Sequence, residues 1–570
     1  MKKIFTSMFF IALVLMVLAP KTSFEQTMDT VVVSALPPGN LNTVINSDTT
    51  AGGVLPPNTV YKLQQTTELD TVYWMTAPIS AKGDIRLVGE INPTTGHPPV
   101  VAPYIADDNS SIEYFFEPQG DATLELRGIY FLGKRTDGLV FTGNFVIPAG
   151  DNNVFIFDHC IVENISGAGT PDLFDAWGYV DNSYYITNCE FRNNQGDNAD
   201  SPGFSWFGAG EFPCDTAKFI NNTFFINGGA ILGADDFGCK YLEFDHNTVF
   251  FSTQGGVFNL LQMTNSVITN NIFFNASSAA LPESWYVPAD WGSALIPLDS
   301  LRSLTADPYN LTESERNITI TNNAYFWSQQ IVDKWNELDT EGIEDVTPLR
   351  PPDFINAQPG ILTDKETWPY VNVADNNNVD PEFDPTLVAA AGDAMATFVD
   401  TLWHNDGTGM GVRPFVGAFD DPPTWEGVAS DWATIQGYPV PENLRYTNVE
   451  LQTAGTDGKA LGDLNWFPEQ ITAVNNNPSP VLSAFSLSQN YPNPFNPTTT
   501  LSFTLPKASK VTLKVFNLLG QRVATVVDDN IKAGVHSYIF DASHLASGVY
   551  FYTINVENEF FQSRKMLLLK

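Results

Sequence analysis

Ile268-Thr269-Asn270-Asn271-Ile272-Phe273 is one of seven renderings of a single phrase: an apolar residue, two polar residues, a small or amide residue, then aromatic or β-branched ones. The others are Leu126-Arg127-Gly128-Ile129-Tyr130-Phe131, Phe157-Asp158-His159-Cys160-Ile161-Val162, Ile186-Thr187-Asn188-Cys189-Glu190-Phe191, Ile220-Asn221-Asn222-Thr223-Phe224-Phe225, Phe244-Asp245-His246-Asn247-Thr248-Val249 and Ile320-Thr321-Asn322-Asn323-Ala324-Tyr325. Their starts lie 31, 29, 34, 24, 24 and 52 residues apart, so the minimal period is 24 and the longer gaps are insertions into a fixed frame. Self-similarity at such a period marks a solenoid or an array of supersecondary units. Apolar positions three and five apart around a polar pair, with Asn at the bend, suit short strands joined by tight turns. Asn tolerates the left-handed backbone region that such bends need, and stacked amides can bond from coil to coil. Three short strands per coil, stacked at about 4.8 Å, give a right-handed parallel β-helix.

The copies resemble the right-handed β-helix superfamily that contains the pectate lyases, a resemblance that implies a fold and no particular activity. At 570 residues and 43% apolar content the chain can build two or three domains with real cores. Sixty-five acidic against 28 basic residues, a net charge of −37, exclude nucleic acid and anionic membrane surfaces as partners. Sparse basic residues in the repeats also weigh against a strongly anionic polysaccharide, unless calcium bridges the two. A monomer is expected.

Residues 1–25 read as a secretory signal peptide: Lys2 and Lys3 precede an apolar run from Ile4 to Leu18, too short and wrongly flanked for an anchor. No later segment reads as a membrane span, and the protein is expected to be exported. The four cysteines all fall in the repeats. Cys214 and Cys239 each precede a copy by five or six residues, one coil apart, and an oxidising compartment favours a disulfide between them. Cys160 and Cys189 share a column of adjacent copies, where a disulfide and a pair of stacked buried thiols are both open. No CxxC spacing points to zinc.

Residues 26–120 are expected to form an N-terminal cap and irregular first coils, and 121–330 the regular β-helix, with a long insertion at 277–316 carrying Trp285, Tyr286 and Trp291. Within a C-terminal cap at 331–470, Leu387, Ala391, Met395, Phe398 and Leu402 recur at helical spacing behind Asp384 as N-cap, predicting a helix laid across the last coil. A Pro-containing linker follows at 471–485. In 486–570, alternation in Leu501, Phe503 and Leu505, in Val511, Leu513 and Val515, in Tyr538 and Phe540, and in Val549, Phe551 and Thr553 predicts an Ig-like β-sandwich. Its Asn490-Tyr491-Pro492-Asn493-Pro494-Phe495-Asn496-Pro497-Thr498-Thr499, Asn517-Leu518-Leu519-Gly520-Gln521, Leu545-Ala546-Ser547-Gly548-Val549-Tyr550-Phe551-Tyr552 and terminal Arg564-Lys565-Met566-Leu567-Leu568-Leu569-Lys570 resemble the type A C-terminal sorting domain of the type IX secretion system. That resemblance implies cargo carried across the outer membrane by the type IX machinery, then released or attached at the cell surface.

No standard nucleophile or metal motif is present. Gly407-Thr408-Gly409-Met410-Gly411 follows a helix and lacks a phosphate-loop Lys, so it reads as a turn. His159 and His246 share the column of Asn188, Asn222, Asn270 and Asn322 and read as turn residues bonded to their neighbours. The acidic residues are more suggestive. Counted from each copy, Asp172, Asp200 and Asp235 fall at offsets of 15, 14 and 15, with Asp175 and Asp236 close by. Stacked like charges resist joint ionisation unless a proton or cation is shared, and carboxylate sets serve both glycosidases and calcium. Asp200, Asp235 and Asp236 are the catalytic candidates, and Asp172, Asp175, Trp177 and Trp206 the substrate-binding ones, against the alternative of solvated turn carboxylates and indoles packed between coils. Isolated Lys218, Lys240 and Arg192 place a lyase below a hydrolase or a plain binder. The sequence therefore supports a surface β-helix that binds and processes polysaccharide, or a non-catalytic adhesin or spacer, and leaves enzyme status open.

Overall fold

The computed structural model describes residues 28–569 apart from interspersed segments, the longest being 195–206, 299–315, 405–442 and 472–485. It divides into a unit up to Ile471 and a second from Thr472. In the first, three parallel sheets run along a β-helix. The first sheet stacks eleven strands: Asp29–Val33, Thr59–Leu63, Ile85–Gly89, Thr123–Arg127, Val154–Asp158, Asn182–Thr187, Cys214–Ile220, Cys239–Asp245, Asn265–Thr269, Asn317–Thr321 and Val371–Ala374. The second stacks ten, from Val72–Met75 to Asn377–Asn378, and the third five, from Ile79–Lys82 to Phe207–Gly208. The sheets thus extend beyond the 121–330 suggested by the copies. Their first three rungs lack the Asn bend that makes the phrase legible, and the last, with Asp375-Asn376 at its bend, carries it without the aromatic or β-branched residues that follow it elsewhere.

Register fixes the frame of the repeat. Phe219 stands opposite Ile186 and Phe244, so the fourth copy begins at Phe219 and not at Ile220. The bend residue sharing the His159 and His246 column is then Asn221, not Asn222, and Asp235 moves one position out of step with Asp172. The cause is the polar Asn-Asn pair, which fits either frame when only apolar spacing is counted. Alternation of burial in the strand decides it: Phe219 is fully buried while Ile220 is partly exposed.

From Arg127 onward, every passage from first to second sheet takes two residues. Its first residue is left-handed: Gly128, His159, Asn188, Asn221, His246, Asn270, Asn322 and Asp375 have φ between 51° and 61°. The second points inward, and from Asn222 it is always Asn. The amide oxygen of Asn247 accepts from the main-chain N–H (2.9 Å) and the side chain (2.9 Å) of Asn222, and its Nδ2 donates to Phe219 O at 2.8 Å. Asn271, Asn323 and Asn376 repeat the pattern. Cys160 and Cys189 hold this same column as buried free thiols, with Cys160 N donating to Cys189 Sγ at 3.4 Å. Around the ladder, Phe157, Ile186, Phe219, Phe244, Ile268 and Ile320 line the core with Phe131, Phe191, Phe224 and Phe273.

Among the described residues three α-helices attach to this unit: α1 (Asn40–Ser47), α2 (Gln329–Glu341) and α3 (Pro385–His404). Leu41 and Ile45 of α1 enter the main core beside the first coil. Helix α3 begins as expected, with Asp384 Oδ1 accepting from Thr386 N at 2.8 Å. It does not lie across the last coil, however. Its Ala391, Met395, Phe398, Val399, Leu402 and Trp403 join Ile331, Trp335 and Leu338 of α2 over Phe225, Phe250 and Phe274, the outward residues of the second sheet. Those rings stack at 5.3 Å along three rungs, and the dry stripe they make is what an amphipathic helix covers.

The second unit is a β-sandwich. A three-stranded antiparallel sheet (Ser486–Leu487, Thr498–Leu505, Gly534–Asp541) faces a four-stranded one ordered Arg522–Ile531, Ser509–Asn517, Gly548–Val556, Phe560–Leu568. Leu501, Phe503, Leu505, Val511, Leu513, Val515, Tyr552 and Ile554 fill a core of its own.

Candidate functional site

Six of the seven proposed site residues, Asp172, Trp177, Asp200, Trp206, Asp235 and Asp236, lie outside the described residues, as does the Gly407–Gly411 cluster. Of Asp175 the main chain is described: it pairs in register with Gly208, next to Phe174 opposite Phe207. Topology still groups them. From Arg127 onward the bends between first and second sheets keep two residues, so the later insertions fall on the return path, between a second-sheet strand and the next first-sheet strand, whereas the earlier passages at 64–71 and 90–99 are longer. All seven residues belong to that return path, and Trp285 and Trp291 do too.

The cysteines sit where the spacing put them: Cys214 opposes Cys239 on adjacent parallel strands, Cα atoms 4.6 Å apart, joined by a disulfide. Among the described residues no group of three His, Cys, Asp or Glu converges to hold a metal ion.

The described polar chemistry lies at the bends and on the outer faces of the first two sheets. At the first sheet Asp84, Arg86, Glu125, Arg127 and Asp158 form a chain of alternating sign over three adjacent rungs, with Arg127 Nε 2.6 Å from Glu125 and Arg127 NH1 3.0 Å from Asp158. On the second sheet Glu163 accepts from Arg192 NH1 at 3.2 Å and from the Tyr130 hydroxyl, all nearly buried. Burial pushes the Glu190 carboxyl up, against the pull of Arg192.

Residues 443–471 form a strap along the bends. Gly462 N donates to Asn270 O at 2.7 Å, Asp463 N to Thr248 Oγ1 at 2.9 Å, and Trp466 Nε1 to Thr223 Oγ1 at 2.9 Å. Asp463 is 1% exposed, accepts from Thr223 Oγ1 at 2.7 Å and from Asn465 N at 2.9 Å, and is pushed up to about 8, chiefly by burial and further by Glu190. Sequence reading missed this carboxyl because its partners lie more than 200 residues away and 443–471 carries no repeat.

A folded pKa above the unfolded value favours the fold most below about pH 4, and that advantage is gone once pH passes the folded value near 8. Asp463→Asn keeps an acceptor for Asn465 N and turns an amide N–H onto Thr223 Oγ1, which in the wild type donates to the carboxyl, without the ionisation. Its melting temperature relative to wild type should therefore rise from about pH 5 to pH 8 by several degrees, roughly 1–3 kcal/mol in stability. A pH-independent difference in scanning calorimetry would show that Asp463 does not titrate against folding.

The sandwich at the C-terminal end resolves the export question, because its strands, turns and closing Arg564-Lys565-Met566-Leu567-Leu568-Leu569 fall within one recognisable domain. Residues 489–569 match the secretion system C-terminal sorting domain. The sorting domain marks the chain as cargo of the type IX secretion machinery, exported to the cell surface or the extracellular space. Among the described residues no helix is long and apolar enough to cross a membrane. No curated protein matches the chain at a significant level.

Proposed function

We propose that the exported β-helix binds polysaccharide along its return-path side and cleaves it there with carboxylates. The observation that supports this reading is the segregation of length variation from Arg127 onward: eight bends are held at two residues, while the return path carries the insertions of these coils and, with them, Asp172, Asp175, Asp200, Asp235 and Asp236 as well as Trp177 and Trp206. Insertions in a solenoid gather on the face that binds. Carboxylates transfer protons or hold calcium, and indoles stack on sugar rings. A second reading, an adhesin or spacer, draws on the rod itself: eleven rungs at about 4.8 Å extend roughly 50 Å, with first-sheet charges neutralised by one another.

The full exported protein, screened on a polysaccharide panel with and without calcium, separates the two. Asp235→Asn with Asp236→Asn is expected to abolish turnover or calcium-dependent binding while leaving the melting temperature unchanged or slightly raised, as relief of like-charge repulsion implies. Loss of folding in the double variant would make these carboxylates structural and favour the spacer.

A further inference from the structure

One four-residue constellation occurs twice on the bends. Asp245 accepts from His246 Nδ1 at 3.0 Å and, on its other oxygen, from Thr269 Oγ1 at 2.7 Å and Asn270 Nδ2 at 2.7 Å of the next coil. Asp158 accepts from His159 Nδ1 at 2.9 Å, Thr187 Oγ1 at 3.1 Å and Asn188 Nδ2 at 2.9 Å. In both, the aspartate fixes the ring through Nδ1 and leaves Nε2 for another partner.

At the Asp245 bend the chain itself sets a carboxylate beside that nitrogen, without a hydrogen bond to it. Asp457 Oδ1 lies 3.5 Å from His246 Nε2, Thr456 N donates to Asn270 Oδ1 at 2.8 Å, and Asn270 Nδ2 donates to Thr456 Oγ1 at 3.0 Å. Gly455 lies so close that a Cβ there would come within 3.4 Å of Nε2. The His246 side chain is left 6% exposed. At the Asp158 bend, by contrast, His159 is 64% exposed and no described residue bonds its Nε2.

We propose that the bend of Asp158, His159, Thr187 and Asn188 binds a turn of an acidic peptide as its twin binds Gly455-Thr456-Asp457-Gly458, a turn closed by Gly458 N donating to Gly455 O at 2.8 Å, with a ligand carboxylate beside His159 Nε2. The twin's occupant is recognised through a main-chain N–H and a hydroxyl as well as a carboxylate, which is the chemistry of a polypeptide. Arg127, 3.0 Å from Asp158 and 2.6 Å from Glu125, is taken up by those two carboxylates, so the positive charge that meets the ligand is the protonated His159 ring itself. With Nδ1 donating to Asp158, only the doubly protonated ring donates to a carboxylate at Nε2. The bond to Asp158 raises the His159 pKa, against burial and Arg127. Binding therefore strengthens as pH falls through the histidine range, until the ligand carboxylate is itself protonated near pH 4.

The probe is a fluorescent synthetic peptide of residues 454–458, which carries Asp457 without Lys459, titrated into the intact exported protein at pH 6 and pH 8 and read by anisotropy. His159→Asn is the variant of choice, because Asn occupies the same left-handed position at 188, 221, 270 and 322. Saturable binding at pH 6, weakened roughly ten- to a hundredfold by His159→Asn, by Asn in place of Asp within the peptide, and by raising the pH, is the expected result, the size of one charge-assisted hydrogen bond. Absence of saturable binding at millimolar peptide, binding that survives His159→Asn, or capture through His159 of an oligouronide but not the peptide would each overturn the proposal.

Discussion

Removing residues 486–570 should leave a folded β-helix that stops in the periplasm. The sandwich keeps a core built from its own strands, and none of Leu501, Phe503, Val511, Leu513, Tyr552 or Ile554 belongs to the clusters of the first unit. Its loss therefore withdraws no packing from the ladder of Asn222, Asn247, Asn271 and Asn323 or from the rings of Phe225, Phe250 and Phe274. What it withdraws is the sorting domain at 489–569. Cell fractionation should show the truncated protein absent from surface and medium, with a melting transition close to that of the β-helix in the intact chain. Normal surface levels of the truncated protein would mean that the export signal lies elsewhere.

The largest single-residue effect on stability is expected at Asn247. Asn247→Ala removes the acceptor of Asn222 N and of Asn222 Nδ2 and the donor to Phe219 O, and breaks the bond to Asn271 Oδ1, all with both partners fully or nearly buried. Stranding a buried donor or acceptor costs about 1–3 kcal/mol, so the loss should be about 3–5 kcal/mol once the interior relaxes. Asn322→Ala, two coils on at the partly exposed outward bend position, breaks a contact to Ala454 O that water can partly replace. Its smaller cost in denaturant unfolding is the internal comparison; equal losses would contradict the ladder as the source of rigidity.

The contrast between those two columns shows how far the chain could be read unaided. The recurring phrase determined a parallel β-helix, because a two-residue bend with a left-handed first position demands Asn, Gly or a similar residue at a fixed place in every coil, and such demands recur visibly. The same logic put Cys214 against Cys239, whose spacing from their strands is shared. Alternation within 85 residues likewise determined the sandwich, and its Asn-Pro and closing basic motifs the sorting role. Local periodicity did not determine which of two adjacent asparagines turns the chain at 221–222; the burial of Phe219 against Ile186 and Phe244 did. Nor did it determine where α3 lies, since an apolar helical stripe fits any dry surface, and only the outward rings of Phe225, Phe250 and Phe274 create one. The strap at 443–471, the buried Asp463 and the twin constellations around His159 and His246 belong wholly to the tertiary structure. Their partners are brought together by the stacking of coils, a distance in space that the order of residues along the chain does not encode.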